Sequence, residues 1–172
     1  MLRILRLSIV LLLLSGMLAA QNSGKKRPIE GVWKIVEIVE TGPGASSTSI
    51  PQPSLLIVTR RHYSFMRARG EKPRALYAAE RPTDAEKLAA FNSFVANTGS
   101  YEVSGSTLTF HPIVSRNPNY MAGGFTTYRF RIAGNNLWLM EKSSDSSYRV
   151  GDKVLPSSAP ASETTTKFVR IE

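Results

Sequence analysis

Read as a pattern of runs and turns, the chain specifies an all-β fold: an eight-stranded antiparallel up-and-down barrel with one short helix. Three features support this. Eight short runs are rich in Val, Ile, Thr, Tyr and Phe, and several alternate with a period of two. Several consecutive runs are separated by only two or three residues, the spacing of hairpins between antiparallel neighbours. Eight such strands in a domain of this length can close on themselves, which removes both exposed sheet edges. A two-sheet sandwich of the same runs is the structural alternative.

The elements follow in order. Residues 31–40 (GVWKIVEIVE) form the first strand, and residues 41–53 hold Gly42, Pro43, Gly44, Pro51 and Pro53 and form a loop. Residues 55–59 and 62–68 are two short strands around Arg60-Arg61, and residues 70–82 are polar and irregular. Thr83-Asp84-Ala85-Glu86 is a capping box. Leu88, Phe91 and Val95 then fall at helical spacing, with Phe94 beside them and Asn97 to Gly99 as the stop, so the helix is expected over about 84–96. Residues 100–104 and 107–111 flank Gly105 as a hairpin, and Pro112 and Asn117-Pro118 interrupt its second arm. Residues 125–132 and 136–142 flank Ala133-Gly134-Asn135 as a further hairpin. Residues 143–162, rich in Ser and Pro, are expected to be a mobile loop, and residues 164–171 are the last strand.

The first twenty residues stand apart from this pattern. Arg3 and Arg6 precede an uncharged, mostly apolar stretch that ends in Ala19-Ala20, the layout of a secretory signal peptide. The apolar run over 7–20 is 14 residues long, short of the roughly 20 that a spanning helix needs. Cleavage is expected after Ala20. The organisation is then signal peptide 1–20, linker 21–29 and one domain over 30–172, in an exported protein, periplasmic or secreted, with no stable membrane span after cleavage. The mature chain has 152 residues and a formal net charge of +7, against +9 for the full chain. Its basic residues are scattered, and the run Lys25-Lys26-Arg27 reads as a solvated leader, so no nucleic-acid partner is expected.

The residues also carry a resemblance. Gly31-Val32-Trp33 resembles the Gly-x-Trp motif that opens the first strand of lipocalins and related calycin barrels. In those folds the Trp closes the barrel floor and a basic residue of the last strand packs across it, a position that Arg170 in Phe168-Val169-Arg170-Ile171 matches. A second string is similar to bacterial lipocalin-like domains of the small type: Gly99-Ser100-Tyr101-Glu102-Val103, Gly105, Leu108-Thr109, Asn117-Pro118-Asn119-Tyr120 and Tyr128-Arg129-Phe130, preceded by a helical stretch. The chain departs from that pattern at Phe110, where a polar residue or His is expected, and in its long Ser/Pro loop. The resemblance implies barrel closure by Gly31, Trp33 and Arg170, and an interior able to take a small molecule.

The chemistry on offer is sparse. The chain has no cysteine, which excludes disulfides, thiolate metal sites, Cys nucleophiles and a lipidated N-terminal Cys. His62 and His111 are far apart, and no ligand spacing for a metal is present. Gly-x-Ser-x-Gly, a phosphate-binding loop and a dinucleotide fingerprint are all missing, so neither cofactor nor catalytic residue is assigned. The candidate ligand-binding residues are Glu37, Tyr63, Phe65, Tyr101, His111 and Arg129. If Trp33 points inward, a period of two carries Ile35, Glu37 and Val39 to the same side. A buried carboxylate needs a partner, and Arg129 or Arg131 on another strand can supply it. Such a cation can equally hold an acidic ligand's carboxylate beside a Tyr hydroxyl. The expected function is binding of a small hydrophobic ligand, acidic in one form of the reading. The alternatives are a solidly packed structural or interaction barrel and an isomerase or cyclase on the same scaffold.

Overall fold

The computed structural model describes residues 27–49, 51–70 and 72–172. The expected signal peptide and most of the linker lie outside the described residues. The strands are β1 (Gly31–Thr41), β2 (Ser46–Thr48), β3 (Ser54–Val58), β4 (His62–Ala68), β5 (Phe94–Ser104), β6 (Thr107–Ser115), β7 (Phe125–Ala133), β8 (Asn136–Lys142), β9 (Ser146–Val150), β10 (Lys153–Pro156) and β11 (Glu163–Arg170). Two helices interrupt them, α1 (Asp84–Asn92) and the single turn α2 (Pro118–Met121). Eight strands close a ring in the order β1-β3-β4-β5-β6-β7-β8-β11 and back to β1, every neighbouring pair antiparallel. The eight runs expected from the sequence are these eight ring strands. β2 pairs on the side of β1, and β9 extends the sheet beyond the start of β7 with β10 at its edge.

The two ends of the barrel differ. Turns at residues 59–61, 105–106 and 134–135 bring strands straight back at one end. Gly105 and Gly134, at φ 57° and 56°, supply the left-handed residue two of these turns need. The other end carries every long connection: the segment with β2, the segment with α1, the segment with α2, and the segment with β9 and β10. Alternate residues point inward and form one core of Trp33, Ile35, Leu56, Tyr63, Leu108, Phe110, Leu137 and Phe168 with their neighbours.

Four expectations are corrected. The helix stops at Asn92, and Phe94 and Val95 belong to β5, where they pair with Ala68 and Arg67. The capping box at Thr83 forms as expected, with Glu86 N–H on the Thr83 hydroxyl at 3.3 Å and the Glu86 carboxylate accepting from Thr83 N–H at 2.8 Å. The helix stripe, however, stays in water: Leu88 is 59% and Phe91 48% exposed. The backbone ladder of β4 therefore ends the helix one turn early. Second, residues 143–162 are not a bare loop. They form a short 3-10 turn (Ser143–Asp145) and the hairpin β9–β10. Third, Asn117-Pro118 starts a helix rather than only breaking a strand, because Asn117 accepts from Asn119 N–H at 3.0 Å and Pro118 sits in the first turn. Fourth, β6 continues through Pro112 to Ser115. Pro112 faces Gly99 where the register with β5 shifts, and such an irregularity is where a strand tolerates a missing donor.

Candidate functional site

The short-turn end is plugged. Trp33 is fully buried and its indole N–H donates to the Ile29 carbonyl at 2.9 Å. Arg170 lies across the outer face of that ring, its guanidinium carbon 4.0 Å from the centroid. The same guanidinium donates to the Glu30 and Pro28 carbonyls, each at 2.5 Å, and so ties the first described residues to the last strand. Gly31 sits at φ 152°, and a Cβ there would collide with Arg170 Nη1. Tyr101 completes this floor, its hydroxyl donating to Thr59 O at 2.8 Å.

Aromatic rings form the middle tier. Tyr63 stacks on Phe110 at 3.8 Å with the planes 7° apart, and Tyr128 meets Phe110 edge-on at 5.3 Å. Phe65 and Phe168 make a second edge contact at 6.3 Å. The Tyr63 hydroxyl is buried without a partner, and burial pushes its pKa well above that of a free phenol.

Above these rings is a cavity of about 720 Å³ at the long-loop end. Its apolar depth is made by Ile35, Leu56, Phe65, Phe110, Leu139 and Phe168. Its upper wall is polar and charged, with Glu40 from β1, Arg67 from β4, Asn97 from β5 and Glu141 from β8, and with Arg69 and Arg116 just beyond β4 and β6. A chain of hydroxyls crosses the wall under α2: Tyr120 donates to Thr126 Oγ1 at 2.7 Å, and Thr126 lies 2.8 Å from Ser146 Oγ. Burial pushes Glu141 up to about 7, with Arg67 pulling it back and Asp145 adding to the rise. Burial lowers the Arg67 pKa, with Arg69 adding to the drop and Glu141 opposing it.

Of the six candidate ligand-binding residues, only Phe65 lines the cavity. Tyr63 lies beneath it in the aromatic tier, and Tyr101 lies in the floor. Glu37 is excluded by a bulge between Ile35 and Glu37, which shifts the phase of β1 so that Ile38 and Glu40 line the cavity instead. His111 lies on the outer wall between the inward neighbours Phe110 and Pro112, 3.7 Å from Glu102. Arg129 is also outside, 3.4 Å from Glu163, and Arg131 covers the Trp138 ring at 3.8 Å.

The charged groups that do line the cavity had a readable signal. Arg67 is in phase with Tyr63 and Phe65, and Glu141 with Leu137 and Leu139. Each is the third inward position of a strand whose first two are core. Glu40 had no such signal, because a bulge cannot be read from a single strand. Among the described residues, no group of His, Asp and Glu is arranged to hold a metal, and no helix is long and apolar enough to cross a membrane. The sequence matches no protein-family model and no curated protein.

Proposed function

We propose that the chain is an exported lipocalin-like protein, periplasmic or secreted, that binds a small amphiphilic molecule inside its barrel. One observation carries this reading: a cavity of about 720 Å³ above a plugged floor, apolar below and polar at its mouth. That volume is within the range of about 300–1,000 Å³ usual for small-molecule sites. A solidly packed barrel would leave little more than the volume of a water molecule. The Gly31, Trp33 and Arg170 arrangement supports the calycin-type assignment, since it joins the first and last strands across the floor.

The energetics suit a carrier. Burying a methylene is worth about 0.8 kcal/mol, so ten in the apolar depth give about 8 kcal/mol before ordering costs. That gross figure corresponds to a micromolar Kd. Both histidines lie outside the cavity, so the acid–base chemistry that an isomerase or cyclase would need falls to Glu141, the carboxyl raised to about 7 in its wall.

Native mass spectrometry of the mature chain tests the reading. Incubation with saturated fatty acids of 12 to 18 carbons is expected to give a one-to-one adduct, or the purified protein to arrive with an apolar passenger. No uptake from a fatty-acid and lysolipid panel would overturn the carrier reading in favour of an empty structural barrel.

A further inference from the structure

We propose that the cavity selects amphiphiles with a zwitterionic head, the anionic group held by Arg67 and the cationic group by Glu141 and Glu40. The inference rests on the ligand-binding reading above and names the ligand class of that same cavity. The strand order supplies the geometry. β4 and β8 are four positions apart in either direction round the eight-strand ring, so Arg67 and Glu141 stand on opposite walls. Glu40 pairs in register with Thr164, and Thr164 with Glu141, which sets the two carboxylates in one row across β1, β11 and β8. All three residues of that row line the cavity. The facing wall is basic: Arg67 lies on β4, with Arg69 just after it, and Arg116 follows β6.

Arg67 and Glu141 belong together by charge and yet do not meet. Among the described residues, no ion pair or hydrogen bond joins them, and neither side chain has another partner at bonding distance. The Asn97 Oδ1 atom, on a wall strand next to β4, is also buried without a donor. The cavity lies between these groups, so a bound head can reach both walls. A simple carboxylate satisfies Arg67 but leaves Glu40 and Glu141 without a cation on their own wall. A simple ammonium reverses the fault, and a neutral head leaves both walls unpaired. A head carrying both charges forms charge-assisted bonds to each wall at once. Sites built on buried polar groups discriminate strongly against ligands that leave those groups empty.

Calorimetric titration of the mature chain with three probes of equal chain length, below their micelle concentrations at about pH 8, tests the proposal. The probes are dodecanoate, dodecylammonium and 2-aminododecanoate, whose head is zwitterionic at that pH. The zwitterion is expected to bind about 10-fold or more tightly than either single-charge probe. Glu141→Gln combined with Glu40→Gln should bring it level with dodecanoate, and Arg67→Gln level with dodecylammonium. Dodecanoate binding as well as or better than the zwitterion in the unaltered chain would overturn the head-group assignment while leaving the carrier reading in place. Failure of all three probes to bind would overturn the carrier reading itself.

Discussion

Trp33 and Arg170 show how two side chains close a barrel. The indole fills the floor, and the guanidinium covers its outer face while bonding two carbonyls of the entering chain. Trp33→Ala should destabilise the fold by about 3–5 kcal/mol in chemical denaturation, as deletion of a buried aromatic. Arg170→Met keeps much of the packing but strands the Glu30 and Pro28 carbonyls, and a loss of about 1–3 kcal/mol is expected from the same measurement. A near-neutral result for Trp33→Ala would separate the residue from barrel closure. Glu141 makes a different prediction. Burial raises its pKa from the ordinary carboxylate value of 4.5 to about 7, with Arg67, Arg69, Glu40 and Asp145 as the charged groups that bear on it. A carboxyl raised on folding binds more protons in the folded state between those values. Its contribution is therefore fully present below about pH 4.5 and is lost as pH rises through about 7, amounting to about 3 kcal/mol. Subtracting the stability curve of Glu141→Gln from that of the unaltered chain should leave this downward slope, and parallel curves would refute it.

At the scale of elements, local signals were legible where local chemistry decides. The Thr83 capping box fixed the start of α1, and Gly105 and Gly134 fixed two hairpin turns. The end of α1 was not legible, because helix spacing continues through Val95 while the partner that claims Phe94 and Val95 is β4, far away in sequence. The hairpin β9–β10 was hidden for a similar reason. Its Ser- and Pro-rich composition reads as loop, and what holds it is distant: Asn119 Nδ2 donates to Arg149 O at 2.8 Å, Arg149 Nε donates to Ala122 O at 2.6 Å, and Tyr148 packs on Tyr120. Residues 72–82 have no strand or helix and are almost wholly exposed. Limited digestion with a non-specific protease should thus cut within 72–82 before 143–162. First cuts within 143–162, mapped by mass spectrometry, would mean the hairpin is not docked.

For the whole molecule, closure is legible in the order of runs and turns, whereas the charge of the interior is legible only in part. Counting runs and turns sufficed to reach eight strands, since hairpin order and ring order coincide round most of the barrel. Which charges face inward depends on strand phase, and phase is altered by bulges such as the one at Ile35/Glu37. The inward position of Glu37 depends on a two-residue period from Trp33, which β1 does not keep. Glu141 and Arg67 lie on strands that keep the period, but a charged residue in an inward phase reads equally as the solvated end of its strand. The resulting interior has opposite charges on opposite walls, and this polarity belongs to the closed ring rather than to any single strand.

The contrast between the two ends has a practical side. Ile171 N–H and Val32 N–H both bond across the join at the plugged end, to Val32 O at 2.8 Å and Glu172 O at 3.2 Å. Residues 27–30 and 170–172 thus share the pole opposite the mouth. A tether attached at either segment would orient an immobilised molecule with its open end toward the medium, so the ligand binding proposed above can be tested on a surface without obstruction.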